Sequence, residues 1–282
     1  MSGPRQARLD ALVRRLDLSE VGTDEFRGIP GSGTGRAFGG MLLAQGLIAA
    51  GRTVRDGLPH ALHAQFLRPA RRSVETRWTV ERLRDGIGFV SRRVQATQAS
   101  MVLFLLTASF VRQSGGFEHQ DAMPEAPAPE HCPDVEDVRV QILGDPSVRQ
   151  PEGPLELREC DPAAAVPTVG RPGRRARWIR PRGVLPDDRL VHAAVLAFAS
   201  DRGLLSTAGY PHGLMWGQGI GASLDHALWI HRPVCFNDWM LFTSESPVAA
   251  ASRGMIFGAL YARDGTRIAS VAQEGLIRLR GR

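Results

Sequence analysis

The chemistry open to this chain starts with a few polar residues in apolar surroundings. Asp201 follows RLVHAAVLAFAS at 189–200, a stretch that is almost wholly apolar and so predicts a helix buried in a core rather than lying on a surface. A carboxylate near the C-terminal end of such a helix meets partial burial and the negative end of the helix dipole, and both disfavour its charge. Its pKa moves upward and it becomes a better proton acceptor at neutral pH, suited to general-base work on a bound water. The same residue at a fraying helix end would face solvent, and the spacing leaves both readings open. Gln273 lies in IASVAQEGLI, where an amide on a buried face needs a partner, structural or catalytic. Gly39 and Gly40 open a second apolar run. Backbone N–H groups there could be left open to a carbonyl oxygen, although close helix–sheet packing would account for the glycines equally well. If they are donors, Gly40→Val is expected to depress turnover without unfolding the protein.

Other chemistries are excluded by what is missing. The chain has 35 basic residues against 29 acidic ones and contains no lysine. A P-loop needs its lysine, and so does a Schiff base, so both classes are ruled out. Arginine alone as the basic residue reads first as a composition bias, though its fork of donors suits phosphate, and a modest positive balance fits an anionic substrate. An aromatic share of 6% argues against a base-stacking nucleic-acid surface. Three cysteines, Cys132, Cys160 and Cys235, are widely spaced with no CxxC pair, against a structural zinc or a disulfide framework. Cys160 and Cys235 are expected to be small core residues. GSGTGR at 31–36 lacks the last glycine of a dinucleotide loop and no strand precedes it. Ser252, in AASRG, leads into a strand rather than the helix that a nucleophile elbow requires. His226 and His231 would point to opposite faces of one strand, as would His60 and His63, so neither pair can share a metal and packed or hydrogen-bonded roles are expected. The N-terminal Leu9, Leu12, Val13 and Leu16 mark an amphipathic helix rather than a secretory core, and the longest apolar stretch, near 101–110, is too short to span a bilayer as a helix. A cytoplasmic protein without membrane insertion is expected.

The elements that must position these residues come in two similar sets. FLRP at 66–69 answers to IHRP at 230–233, Trp78 to Trp239, and residues 97–112 to 263–278. Each half runs from one apolar helix into four strand-like segments, which is solved by a sheet curling around its helix. Pro and acid-rich sequence between the halves reads as a linker, with VRVQIL at 138–143 and LELREC at 155–160 as candidate strands within or beside it. The expected domains are residues 1–115 and 155–282, joined by 116–154. Asp187 or Asp188 is expected to cap the second helix and Gly203 to end it. Asp85-Gly86, Ala99-Ser100 and Arg263-Asp264-Gly265 mark turns.

Taken together, FRG (26–28), RAFGG (36–40), FLRP, TASF (107–110), GFEHQ (116–120), PDD (186–188), ASD (199–201), LDHALWIHRP (224–233) and VAQEG (271–275) resemble the bacterial type II acyl-CoA thioesterases. The resemblance covers nearly all of residues 20–280. It implies an α+β double hotdog, acyl-CoA as substrate, no cofactor besides the coenzyme A carried by that substrate, no nucleic acid, and a homodimer or larger homo-oligomer. It also implies that an aspartate, a threonine and a glutamine orient the attacking water. They map onto Asp201, Ser223 and Gln273, and serine at 223 is a departure that keeps the hydroxyl but loses the methyl that fixes its rotamer. Thioesters are activated carbonyls, so a base, a placed water and oxyanion donors suffice. Arg68 and Arg232 are candidate contacts for the CoA phosphates, with Arg92, Arg93 and Arg253 as further ones. A hotdog protein that binds acyl-CoA or acyl carriers without hydrolysis is the alternative function. An enoyl-CoA hydratase is a third, but Gly144-Asp145-Pro146 lacks the Asn-Pro and His that those enzymes carry.

Overall fold

The structure, a computed structural model, describes residues 3–112, 115–214 and 219–279. Helix α1 (Pro4–Leu16) buries Leu9, Leu12 and Leu16. Two short strands follow, β1 (Ser19–Gly22) and β2 (Glu25–Gly28), and then helix α2 (Gly39–Arg52). Strands β3 (Leu58–Phe66), β4 (Thr76–Asp85), β5 (Phe89–Gln98) and β6 (Met101–Val111) complete the first half. Helix α3 (Val135–Leu143) intervenes before β7 (Leu155–Glu159) and β8 (Gly173–Pro181). The second half continues with α4 (Arg189–Ser200), α5 (Ser206–Gly209), β9 (Gly219–Ser223), β10 (Asp225–Ile230), β11 (Met240–Ala250), β12 (Arg253–Ala262) and β13 (Arg267–Leu279).

These strands form one antiparallel sheet in the order β1-β2-β4-β5-β6-β3-β10-β13-β12-β11-β8-β7, with β9 added to β13. With β9 set aside, the order read inward from either edge is the same: two leading strands, then the second, third, fourth and first strands that follow the central helix. The two copies meet where β3 pairs antiparallel with β10, with Leu62 opposite Leu228. This is a double hotdog. Ala99 and Ser100, with φ of 47° and 65°, form the tight β5–β6 hairpin, and Ala251 and Ser252 repeat it between β11 and β12 at 47° and 60°. Ser252 is therefore a turn residue.

Helix α2 is buried from Gly40 through Ala50, and α4 from His192 through Ser200. The two run antiparallel against each other. A Cβ at Gly40 would lie 2.6 Å from the Phe198 carbonyl, and one at Gly51 would strike Leu190, so each helix start abuts the other's end. Burial of both helices between the sheet and each other is the main source of stability, since apolar area removed from water dominates folding. Asp188 caps α4 by accepting from the Leu190 and Val191 amides, and Gly203 takes a φ of 74° just beyond its end.

Three expectations change. VRVQIL is helical, not a strand. Asp134 caps α3 through the Glu136 amide and Gly144 closes it at φ 66°, so local capping outweighs the β-branched residues. Cys235 is exposed, whereas Cys132 is buried and Cys160 half-buried. Arg92 is not a surface cation. Its guanidinium is buried inside the first half, where it bonds the Thr53 hydroxyl and carbonyl and pairs with Asp85.

Candidate active site

Four elements deliver polar groups to one point between the halves. Asp201 is the C-cap of α4 and is only 7% exposed. The antiparallel packing of the helices lays it against the start of α2, and Gly40 donates its amide to Asp201 Oδ2 at 2.7 Å. Gln273 projects from the inner face of β13 and is fully buried. Ser223 ends β9, the strand added to β13 opposite Gly275, and its Oγ accepts from Gln273 Nε2 at 2.9 Å. The sequence-chosen Asp201, Ser223 and Gln273 therefore come together, from stretches up to 72 residues apart in the chain (201 to 273).

The electrostatics of Asp201 follow from that setting. Burial pushes its carboxyl up to about 7 from an ordinary value near 3.8, while the Gly40 amide, Arg202, Gln273 and Ser223 pull it partly back. The carboxylate thus loses water yet keeps polar partners, the condition under which a general base works near neutrality.

Two further residues extend the site: His226, expected from the sequence to be packed or hydrogen-bonded, and Ser200, for which the sequence predicts no role. His226 Nδ1 lies 2.6 Å from Gln273 Oε1, and His226 Nε2 lies 2.9 Å from Ser200 Oγ. Burial drives the His226 pKa down to about 4, so the ring is neutral at pH 7 and one nitrogen must donate while the other accepts. Gln273 presents its oxygen to the ring, so Nδ1 carries the proton and Nε2 is left as an acceptor facing the Ser200 hydroxyl, which also lies 2.9 Å from the Ala197 carbonyl. From the ring onward the donors point one way: His226 to Gln273, Gln273 to Ser223, and Ser223 toward the carboxylate. Such a chain requires an acceptor at its end. The sequence signal was available, since strand alternation puts His226 on the same inward face as Leu228 and Ile230. His226→Leu is expected to release the Gln273 amide and lower kcat by on the order of tenfold or more, the cost of one lost buried hydrogen bond with misorientation. KM should change little; unchanged steady-state kinetics would show that Gln273 is held by other means.

Gly40 plays a different part from the one expected. The Gly40 amide is occupied by the Asp201 carboxylate, so it is not open to a thioester oxygen. A Cβ at Gly39 would stand 2.8 Å from Asp201 Oδ2 and 3.2 Å from the Phe66 ring. Both glycines are needed for close approach. The Cβ clash with the Phe198 backbone also revises the expected result at position 40. Gly40→Ala should already cost about 1–3 kcal/mol of stability, read as a lowered melting temperature together with lower activity, and valine more.

Arg68 and Arg232 are not drawn to the carboxylate. Arg68 donates to the Val102 carbonyl at 2.7 Å, and exposed Arg232 pairs with Glu118 at 3.0 Å. Arg93 pairs with Glu81 and Arg253 with Glu274. Among the described residues, no group of three or more His, Cys, Asp or Glu is arranged to hold a metal ion.

Comparison with known proteins decides the family. Residues 159–276 match the family described as acyl-CoA thioesterase, and residues 29–111 match the acyl-CoA thioesterase N-terminal domain. The chain belongs to the acyl-CoA thioesterase family. It is 34% identical to acyl-CoA thioesterase 2 of Haemophilus influenzae, over 96% of this chain and 98% of that protein. It is 35% identical to acyl-coenzyme A thioesterase 8 of Mus musculus, over 94% of this chain and 88% of that one. Among solved structures, acyl-CoA thioesterase II TesB2 from Mycobacterium marinum superposes with a TM-score of 0.81 at 34% identity, covering 96% of this chain and 99% of its own. A hot dog fold protein from Alicyclobacillus acidocaldarius, 18% identical, shares the fold with a TM-score of 0.77 over 95% of this chain and 98% of that one.

Proposed function

We propose that the protein hydrolyses acyl-CoA to a free carboxylic acid and coenzyme A, with Asp201 as general base and with Ser223 and Gln273 holding the attacking water. Membership of the acyl-CoA thioesterase family supports the reaction class. The observation that supports the mechanism is the buried carboxylate of Asp201, held neutral-poised at the meeting point of Gly40, Ser223 and Gln273.

In this reading a water beside Asp201 attacks the thioester carbon while Asp201 takes its proton. The carbonyl electrons collapse back, the C–S bond breaks, and the proton held by Asp201 passes to the departing thiolate. The neutral groups of Ser223 and Gln273 orient the water, and no cofactor or metal enters the scheme. Residues 1–115 and 155–282 act as two hotdog domains, joined by 116–154, that contribute Gly40 and Asp201 respectively to one site.

No helix among the described residues is long and apolar enough to cross a membrane. A cytoplasmic homo-oligomer, formed through the large sheet, belongs to the same proposal. The test is thiol release over a panel of acyl-CoA chain lengths. Turnover with at least one of them is expected. Tight acyl-CoA binding with no thiol released from any would replace hydrolysis with the binding-module reading.

A further inference from the structure

A second polar site lies beside the first, on the inner face of the β7–β8 edge. There a cavity of about 350 Å³ is roofed by residues of α3 and the loop at 149–153, and floored by Arg175 and Arg177 of β8. Arg182 also lines it, and Phe38 and Arg202 form the wall toward the catalytic carboxylate. Phe38 is the N-cap of α2, two residues before Gly40, and Arg202 follows Asp201 directly. The guanidinium of Arg202 lies 5.9 Å from the centre of the Phe38 ring. The cavity and the Asp201 site therefore share a partition.

Two of the arginines of this cavity are under-compensated. Six arginines line it, of which Arg139 pairs with Glu136 and Arg149 with Asp137. Arg175 is neutralised by Glu159, with both side chains buried. Arg177, two residues along the same inward face and 4% exposed, makes no ion pair among the described residues; its donor contact is to the Arg202 carbonyl at 3.3 Å. Burial and the neighbouring Arg175 charge push its pKa down to about 10. Arg182, 9% exposed, reaches Asp134 and Glu152 only at 3.9 Å and 3.8 Å, beyond hydrogen-bonding distance, and its Nε has no partner. A buried cation without a paired anion is costly in a fold, and an unmet buried guanidinium N–H adds to that cost. Both are relieved by a ligand with several anionic oxygens, and the planar fork of arginine fits phosphate geometry.

We propose that this cavity is a phosphate-binding site and that it takes the phosphate-bearing nucleotide end of the acyl-CoA substrate. The assignment to substrate rests on the proposed thioesterase function. It moves phosphate recognition from Arg68 and Arg232 to Arg177 and Arg182. The pantetheine arm of the same molecule then passes the Phe38–Arg202 partition to bring the thioester to Asp201.

The test compares the wild type with Arg177→Gln and Arg182→Gln, each first checked for a native melting transition. Calorimetric titration with coenzyme A, and separately with inorganic phosphate, reads binding without any need for hydrolysis. Coenzyme A affinity is expected to fall on the order of tenfold or more in each variant, the effect of losing a charge-assisted hydrogen bond. In the steady state, the KM advantage of an acyl-CoA over the matching acyl-N-acetylcysteamine thioester, which has no phosphate, should narrow by a similar factor. Coenzyme A affinity equal to wild type in a folded variant overturns the proposal; if Arg177→Gln does not fold, Arg182→Gln decides. Lost phosphate binding with an unchanged KM advantage would remove the substrate from the site. A wild type that binds coenzyme A yet releases no thiol would instead overturn the hydrolytic reading, so the two fail separately.

Discussion

Asp201→Asn is expected to slow thiol release from acyl-CoA by roughly 10²–10⁴-fold, the usual contribution of a positioned general base. Asparagine is nearly isosteric, and its side-chain oxygen can still accept from the Gly40 amide. The geometry is therefore preserved while the proton acceptor is lost. The same variant should be more heat-stable than the wild type at pH 8. The folded-state pKa of Asp201 is raised by burial to about 7 from an ordinary value near 3.8. Its favourable contribution is thus fully present only below about pH 4 and is lost as pH rises through 7, because the folded protein must then bury a charge. Each unit of that shift corresponds to about 1.4 kcal/mol. Asparagine carries no such penalty, so the gain in melting temperature should shrink as pH is lowered from 8 to 5. A variant rate within a few-fold of wild type would remove Asp201 from the mechanism. A lower melting temperature at pH 8 would instead mean that the carboxylate is well accommodated in the fold.

The second large effect is the pH dependence of kcat/KM, which reports on free enzyme. Only ionised Asp201 can take the proton, so the rate should be level above about pH 7 and fall tenfold per unit below it. That amounts to on the order of a hundred-fold loss at pH 5. The groups that face the carboxylate do not add a competing inflection in this range. Gly40, Ser223 and Gln273 do not titrate, Arg202 acts on Asp201 as a positive charge, and His226 is held neutral down to about pH 4. A profile flat from pH 5 to 8 would contradict the assignment. So would an inflection near 7 that persists in the residual activity of Asp201→Asn.

Much of this molecule was legible in the chain. The two apolar helices, most of the strands that follow each, and the Asp188 cap follow from periodicity and local hydrogen bonding, which depend on residues a few positions apart. The polar residues out of place in apolar stretches, Asp201 and Gln273, marked themselves for the same reason. Local pattern misled where two signals competed, as at 138–143, where a capping aspartate and a closing glycine carried β-branched residues into a helix.

What only the tertiary structure decided were relations across the pseudo-symmetric halves. The antiparallel seating of α2 on α4 turns Gly40 from an open donor into the partner of Asp201. The pairing of β9 and β10 with β13 places Ser223 and His226 on either side of Gln273. The fold of β8 under α3 collects arginines from distant stretches into one cavity. Sequence alone fixes which side chains are apolar, capped or turned, because those are short-range energies. Which buried polar groups face one another is settled by the register of strands and the contact of helices that lie far apart in the chain, and no local periodicity encodes that choice.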